Sequence, residues 1–299
     1  MEFCKKEERA SCLSLPSTAC LFYRLLLQPS NKQTLLNSYY SILKQMSRDT
    51  LLKPFRILYT IWCVALFAVV ILGFFPLILL ISFLQEDKAN RIIYIIIKYV
   101  GKFWFLLCGI YWVRKGAEPS SKESYVYVIN HGSYLDAAIL FLALHHPFRA
   151  LAKFEMEKIP VFGTLYKVMT IGVDRSSPAS RAASVQRMLD KLRKGVDIVV
   201  FPEGTFKKHD DILLPFFNGA FRIAIETQTP IVPILIEGVE DIMPSDAASF
   251  YRPGKLTLHY LPAIHTKGMT LEDTETLKAK VFEEMKACKE KWWLSTSQK

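Results

Sequence analysis

Two short clusters in this chain hold residues that can move a proton. The first is Asn130-His131-Gly132-Ser133-Tyr134-Leu135-Asp136. A neutral imidazole accepts a proton from a hydroxyl near pH 7 when a carboxylate fixes its tautomer and stabilises the imidazolium that forms. His131 and Asp136 have the residue types for that pairing. The run Ser124–Ile129 (SYVYVI) reads as a strand, so His131 falls at a strand end. Ser133–Leu144 reads as a helix, with Asp136 in its first turn. The amino end of that helix disfavours positive charge on the ring, which keeps the base neutral. Gly132 and Ser133, at the start of the same helix, are candidates for an oxyanion site. A plainer reading of the same residues is a Ser133-x-x-Asp136 capping box, with His131 as an ordinary loop residue.

The second cluster is Phe201-Pro202-Glu203-Gly204-Thr205, directly after the apolar run DIVV. Pro202 ends the strand, Gly204 lets a ligand approach the backbone closely, and Glu203 and Thr205 supply polar groups. Other chemistries lack their residues. His145-His146 is the only histidine pair, and no HExxH or Cys/His spacing points to a metal. The six cysteines show no CxxC spacing; Cys63 and Cys108 lie in apolar segments and Cys288 in a predicted C-terminal helix, so none stands out as a nucleophile. Nucleic-acid binding has only positive charge behind it, without a basic helix or an aromatic RNA-binding pattern.

The elements that must position these clusters alternate after Gly116. Strand runs at Phe148–Lys153, Asp197–Phe201, Ile231–Ile236 and Lys255–Leu261 are separated by helical windows. One such window is capped by Ser177 with Pro178 in its first turn and stops at Gly195. Another, Gly219–Thr227, follows the second cluster. Thr270 and Asp273 form a capping box before a long polar C-terminal helix. The expected fold class is α/β: a mostly parallel central sheet covered by helices, preceded by an N-terminal membrane-associated helical pair. Ligands of such sheets gather at strand carboxyl ends, where both clusters fall.

The helical pair follows from hydropathy. No charged residue occurs from Ile57 to Leu84, 28 positions, and a bilayer core needs about 20. Gly73 and Pro76 interrupt this run and allow a kink or a break into two helices. A second run, Ile92–Val113, carries Lys98 and Lys102 on one helical face, so it would lie in the interface or cross with both lysines snorkelling. Basic residues flank the pair on its outer sides, which places the catalytic domain on the cytoplasmic face. Composition agrees: 51% of the 299 residues are hydrophobic, and 38 Lys and Arg against 28 Asp and Glu leave a net charge of +10. That excludes a disordered chain and fits a membrane surface. Residues 1–45 have neither signal-peptide character nor stable periodicity, and Met46 opens a basic leader. The expected division is an extension at 1–45, a membrane anchor at 46–115 and a catalytic domain at 116–299.

The pattern NHxSxxD followed about 70 residues later by FPEGT resembles the glycerolipid acyltransferase family, specifically the PlsC-like 1-acylglycerol-3-phosphate acyltransferases. Gly172-Val173-Asp174-Arg175, Ala152-Lys153-Phe154-Glu155, the Pro160–Gly163 turn and Thr229-Pro230-Ile231-Val232-Pro233 resemble further blocks of that family in its order. Family members often carry Arg after FPEGT, where this chain has Phe206, Lys207 and Lys208. The resemblance implies transfer of a fatty acyl group from acyl-CoA or acyl carrier protein to the hydroxyl of a lysophospholipid. The expected acceptor is 1-acyl-sn-glycerol-3-phosphate, giving phosphatidic acid. An aminoacyl or ornithine lipid acceptor, and a non-catalytic lipid-binding protein, are the alternatives. It implies His131 as base, Asp136 as its partner, and Lys153, Arg175, Glu203, Gly204 and Thr205 on the substrate. No cofactor or metal is expected beyond the acyl thioester co-substrate, and the partners are membrane lipids rather than nucleic acid.

Overall fold

The computed structural model describes residues 32–120, 123–159, 161–174, 176–206, 212–244 and 251–297. The chain divides after Arg56 into two compact units. Of the first, residues 32–56 are described and are helical. The second, from Ile57, carries everything that follows except the first part of helix α1.

Helix α1 is Lys32–Ser82 and α2 is Glu86–Leu107. Helix α1 runs through Met46, Gly73 and Pro76 without interruption, so the break into two shorter helices is not there. Its part Leu52–Ser82 is long and apolar enough to cross a membrane, and only 11% of the apolar window is buried against protein. A core helix of that composition would be covered.

The second apolar run departs from expectation. Helix α2 ends at Leu107, Gly109 takes a left-handed φ of 60°, and Ile110–Lys115 (IYWVRK) becomes strand β1. The β-branched and aromatic residues after that glycine fit a pleated surface better than a helix. Lys98 also turns to protein, donating to the Tyr94 hydroxyl (3.1 Å) and the His145 carbonyl (3.4 Å).

Six further strands complete one sheet: β2 (Val126–Ile129), β3 (Phe148–Lys153), β4 (Thr170–Val173), β5 (Asp197–Val200), β6 (Ile231–Glu237) and β7 (Gly254–Tyr260). The order is β1-β7-β6-β2-β5-β3-β4. Every pairing is parallel except β6 with β7. Strands β2, β5 and β6 are buried at every position, as strands covered on both faces must be. Side chains alternate between the two cores. Tyr127 and Ile129 join the cluster under α1, α2 and α3 (Asp136–Ala143), while Val126 and Val128 join the other. That second cluster lies under α5 (Pro178–Arg193), α6 (Gly219–Glu226) and α8 (Thr274–Ser297). Short helices α4 (Phe162–Met169) and α7 (Val239–Ile242) complete the fold. The predicted caps hold: Ser177 accepts the Ser180 amide, and Thr270 and Asp273 bond reciprocally. Chain crossing puts β5 and β6 on opposite sides of β2, which opens a crevice at the carboxyl end of β2.

Candidate active site

The carboxyl end of β2 is locked before the chemistry begins. Asn130 donates its side-chain amide to the Ile236 carbonyl (3.0 Å) and accepts the Ile236 amide (2.7 Å). One side chain thereby continues the β2–β6 ladder for a further step and fixes where His131 leaves the sheet. The His131 amide then donates to Glu203 Oε1 (3.0 Å), while Glu203 Oε2 accepts the Leu214 amide (2.9 Å). Glu203 is 4% exposed, and burial pushes its carboxyl above the usual range against the pull of those two N–H groups. It ties the FPEGT loop to the histidine loop through backbone.

His131 Nδ1 lies 2.9 Å from Asp136 Oδ2. With Nδ1–H directed at a carboxylate, the lone pair is on Nε2, the atom left to act as base. Asp136 is completely buried, and its Oδ2 also accepts the Gly132 (2.8 Å) and Ser133 (2.9 Å) amides. Among the described residues Oδ1 has no hydrogen-bond partner, so three donors meet on one oxygen. The capping geometry and the His–Asp pair are therefore one structure. The geometry also gives the Gly132 and Ser133 amides a different task from oxyanion binding, because both N–H groups are spent on Asp136. The Ser133 hydroxyl donates to the Met243 carbonyl (2.6 Å) and accepts the Leu135 amide (3.2 Å). A Cβ on Gly132 would come within 2.9 Å of Glu240 Oε1, so any larger residue there would displace the exposed Glu240 side chain.

Aromatic rings hold the imidazole from both sides. Phe201 stacks on it at 4.1 Å between centroids and 20° between planes, and Phe206 lies at 4.3 Å. Tyr134 meets Phe206 edge-on at 4.5 Å. Neither these rings nor Asn130 can be assigned to the site from residue type and spacing alone. Aromatics beside a proline turn are too common to single out without their neighbour in space.

The remaining predicted residues lie along the same edge. Gly204 takes φ 68° in the turn after β5, where only glycine is unstrained, and Thr205 is exposed beside it. Lys153 ends β3, is 63% exposed, and lies 3.5 Å from Glu155. Strand β3 is two places from β2, about 10 Å away at the usual strand spacing. Arg175, Lys207, Lys208 and Pro160 lie outside the described residues, as do residues 1–31 of the expected extension. Arg175 follows β4, the next strand along, and the Asp174 carboxylate beside it accepts the Ser176 amide and hydroxyl.

Behind the histidine loop an apolar cavity of about 350 Å³ runs between α1, α2, α3 and the sheet. Tyr134 and Leu135 line it near the histidine, and Phe74, Trp104 and Met169 line it further in. Periodicity could mark those residues as buried but not as lining a space.

A family model described as Acyltransferase matches residues 113–237. The 1-acyl-sn-glycerol-3-phosphate acyltransferase BAT2, chloroplastic, of Brassica napus is 37% identical over 137 residues, 46% of this chain and 39% of that protein. The putative 1-acyl-sn-glycerol-3-phosphate acyltransferase acl-2 of Caenorhabditis elegans is 31% identical over 180 residues, 58% of this chain and 63% of that one. The chain thus spans less than two thirds of the length of these curated relatives. The crystal structure of the 1-acyl-sn-glycerophosphate (LPA) acyltransferase PlsC from Thermotoga maritima superposes with a TM-score of 0.67 at 26% identity, covering 80% of this chain and 97% of that one. Sequence blocks, fold and relatives agree: residues 113–237 match the Acyltransferase family model, and the chain is similar to PlsC-like 1-acylglycerol-3-phosphate acyltransferases.

Proposed function

We propose that this protein transfers a fatty acyl group from an acyl thioester to the free hydroxyl of a lysophospholipid, with 1-acyl-sn-glycerol-3-phosphate as acceptor and phosphatidic acid as product. The observation that carries this reading is an imidazole oriented by a buried carboxylate, in a loop whose Tyr134 and Leu135 line an apolar cavity. His131 Nε2 takes the proton of the acceptor hydroxyl as its oxygen attacks the thioester carbonyl. The tetrahedral intermediate then expels the thiolate, which takes the proton back from the imidazolium. One C–S bond breaks, one C–O bond forms, and no acyl-enzyme is needed. Asp136 holds the ring and stabilises its charged form. Glu203 acts through the backbone it binds rather than on substrate, and Gly204 and Thr205 shape the loop beside it. Lys153, at the end of β3, and Arg175, two residues after Val173 in sequence, hold the anionic headgroup; a guanidinium is the better bidentate phosphate partner. The apolar cavity takes a fatty chain, for which a space lined by hydrocarbon is the suitable environment.

In this reading residues 46–115 anchor the protein, 116–299 carry the chemistry on the cytoplasmic face, and 1–45 are dispensable. Acyl-CoA or acyl carrier protein serves as donor. Purified protein supplied with acyl-CoA and a panel of lysolipids tests the proposal through thiol release. Release with 1-acyl-sn-glycerol-3-phosphate above all other acceptors supports it; no release with any lysolipid overturns it.

A further inference from the structure

The turn after β5 grips the imidazole with the rings at its two ends. Phe201 leaves the strand, its carbonyl accepts the Gly204 amide (3.1 Å), and Gly204 reverses the chain at φ 68°. Phe206 thereby returns to the imidazole that Phe201 already stacks on, at 4.3 Å between centroids and 50° between planes. Glu203 keeps the turn in place, since its two oxygens accept the His131 and Leu214 amides. Phe206 stands between Thr205 and the polar run 207–211 (KKHDD), and it belongs to neither apolar core. Its ring contacts are instead His131 and Tyr134, the latter edge-on at 4.5 Å and itself 62% exposed. A half-buried phenyl ring that no core claims has its reason at the histidine.

That reason is the choice of nucleophile. Rings cover the imidazole, Asp136 holds Nδ1, and the side chain is left 21% exposed. A base open to solvent at Nε2 does not distinguish one hydroxyl from another. Water would give its proton to Nε2 while its oxygen attacked the thioester carbonyl. The C–S bond would then break, the thiolate would take the proton, and a free fatty acid would form in place of a lipid ester. Transfer outruns that hydrolysis only where bulk water is kept from the base.

We propose that Phe206 is a positioning residue that sets the ratio of transfer to hydrolysis: with Phe201 and Tyr134 it shields His131 Nε2 from bulk water, so that the base serves a lipid hydroxyl. The consequence for product ratio rests on the acyl-transfer reading; the shielding of Nε2 does not. Phe201 supplies the part of the cover fixed at the strand end, and Phe206 the part supplied by the loop. Tyr134 joins that cover to the apolar cavity, which it also lines.

Two measurements on the full-length protein test this. With acyl-CoA labelled in its acyl group and 1-acyl-sn-glycerol-3-phosphate, Phe206→Ala should raise the ratio of free fatty acid to acylated lipid about tenfold, the equivalent of one aromatic contact. Phe206→Leu keeps an apolar side chain over the ring and should stay nearer the wild-type ratio. Loss of both products at an unchanged ratio in Phe206→Ala, as a merely structural role would give, overturns the proposal. The second measurement needs no substrate. Diethyl pyrocarbonate acylates a neutral imidazole nitrogen, and peptide mapping reads its rate at His131. Phe206→Ala should react several times faster than wild type, and equal rates overturn the proposal. A wild-type protein that acylates no lysolipid would remove the acyl-transfer reading, while the labelling rates would still decide whether Phe206 shields the base.

Discussion

His131 has one nitrogen committed and one available, and that asymmetry is set by Asp136. Because Asp136 Oδ2 holds Nδ1 and two loop amides together, its loss removes both the tautomer and the shape of the loop. Asp136→Ala should lower kcat by a factor of about 10² to 10⁴ and also lower Tm, measured on the same preparation. A variant with wild-type kcat would deny the pair its role. A second carboxylate offers a stability test away from the chemistry. Asp197 at the start of β5 accepts the Tyr125 amide (2.9 Å), and burial pushes its carboxyl up to about 7. A folded-state value above the unfolded one means the contribution is complete at low pH and is lost as pH rises towards 7 and beyond. The loss amounts to roughly 4 kcal/mol at most. Asp197→Asn keeps an acceptor for Tyr125 and removes the ionisation. The urea midpoint of the wild type should therefore fall from pH 5 to pH 8 more steeply than that of the variant. Parallel pH profiles would contradict the assignment.

At the scale of elements, the two motif-bearing turns work because they leave adjacent parallel strands, β2 and β5, at the same edge. Alternation of apolar runs and the capping signals made most of those strands and helices legible: Phe148–Lys153 has the same bounds in sequence and structure, and Ser177 caps α5 as its chemistry dictates. Strand β1 was not legible, because an apolar run containing Ile110-Tyr111-Trp112-Val113 is equally compatible with helix until Gly109 turns the chain. Nor was β4, four residues long and continuous with the end of α4. The site residues on loops could be read from their types, while the positioning by Asn130, Phe201 and Phe206 depends on contacts between elements distant in sequence. The cavity is likewise a property of packing. Gly101 of α2 lines it, and a Cβ added there meets nothing within 4 Å among the described residues. Gly101→Leu should therefore fold and shift acyl preference towards shorter chains by at least about tenfold in relative kcat/KM, since the side chain occupies space a fatty chain would use. Unchanged chain preference would show that the cavity does not hold the acyl group.

For the whole molecule, much of the 51% hydrophobic content lies in a membrane-length helix, while Lys98 and Lys102 of α2 and Lys153 and Lys158 at and after the end of β3 contribute to the net charge of +10. Composition alone pointed to a membrane surface, and the membrane-length helix agrees with it. The proposed function assigns membrane attachment to α1 and proton transfer to His131, which makes the two separable by mutation. The most direct test is His131→Ala in the full chain. Acyl transfer to 1-acyl-sn-glycerol-3-phosphate and flotation with liposomes are measured together on folded protein of unchanged Tm. The account predicts loss of transfer by about 10² to 10⁴ with flotation unchanged, and a variant that retains full transfer activity would contradict it.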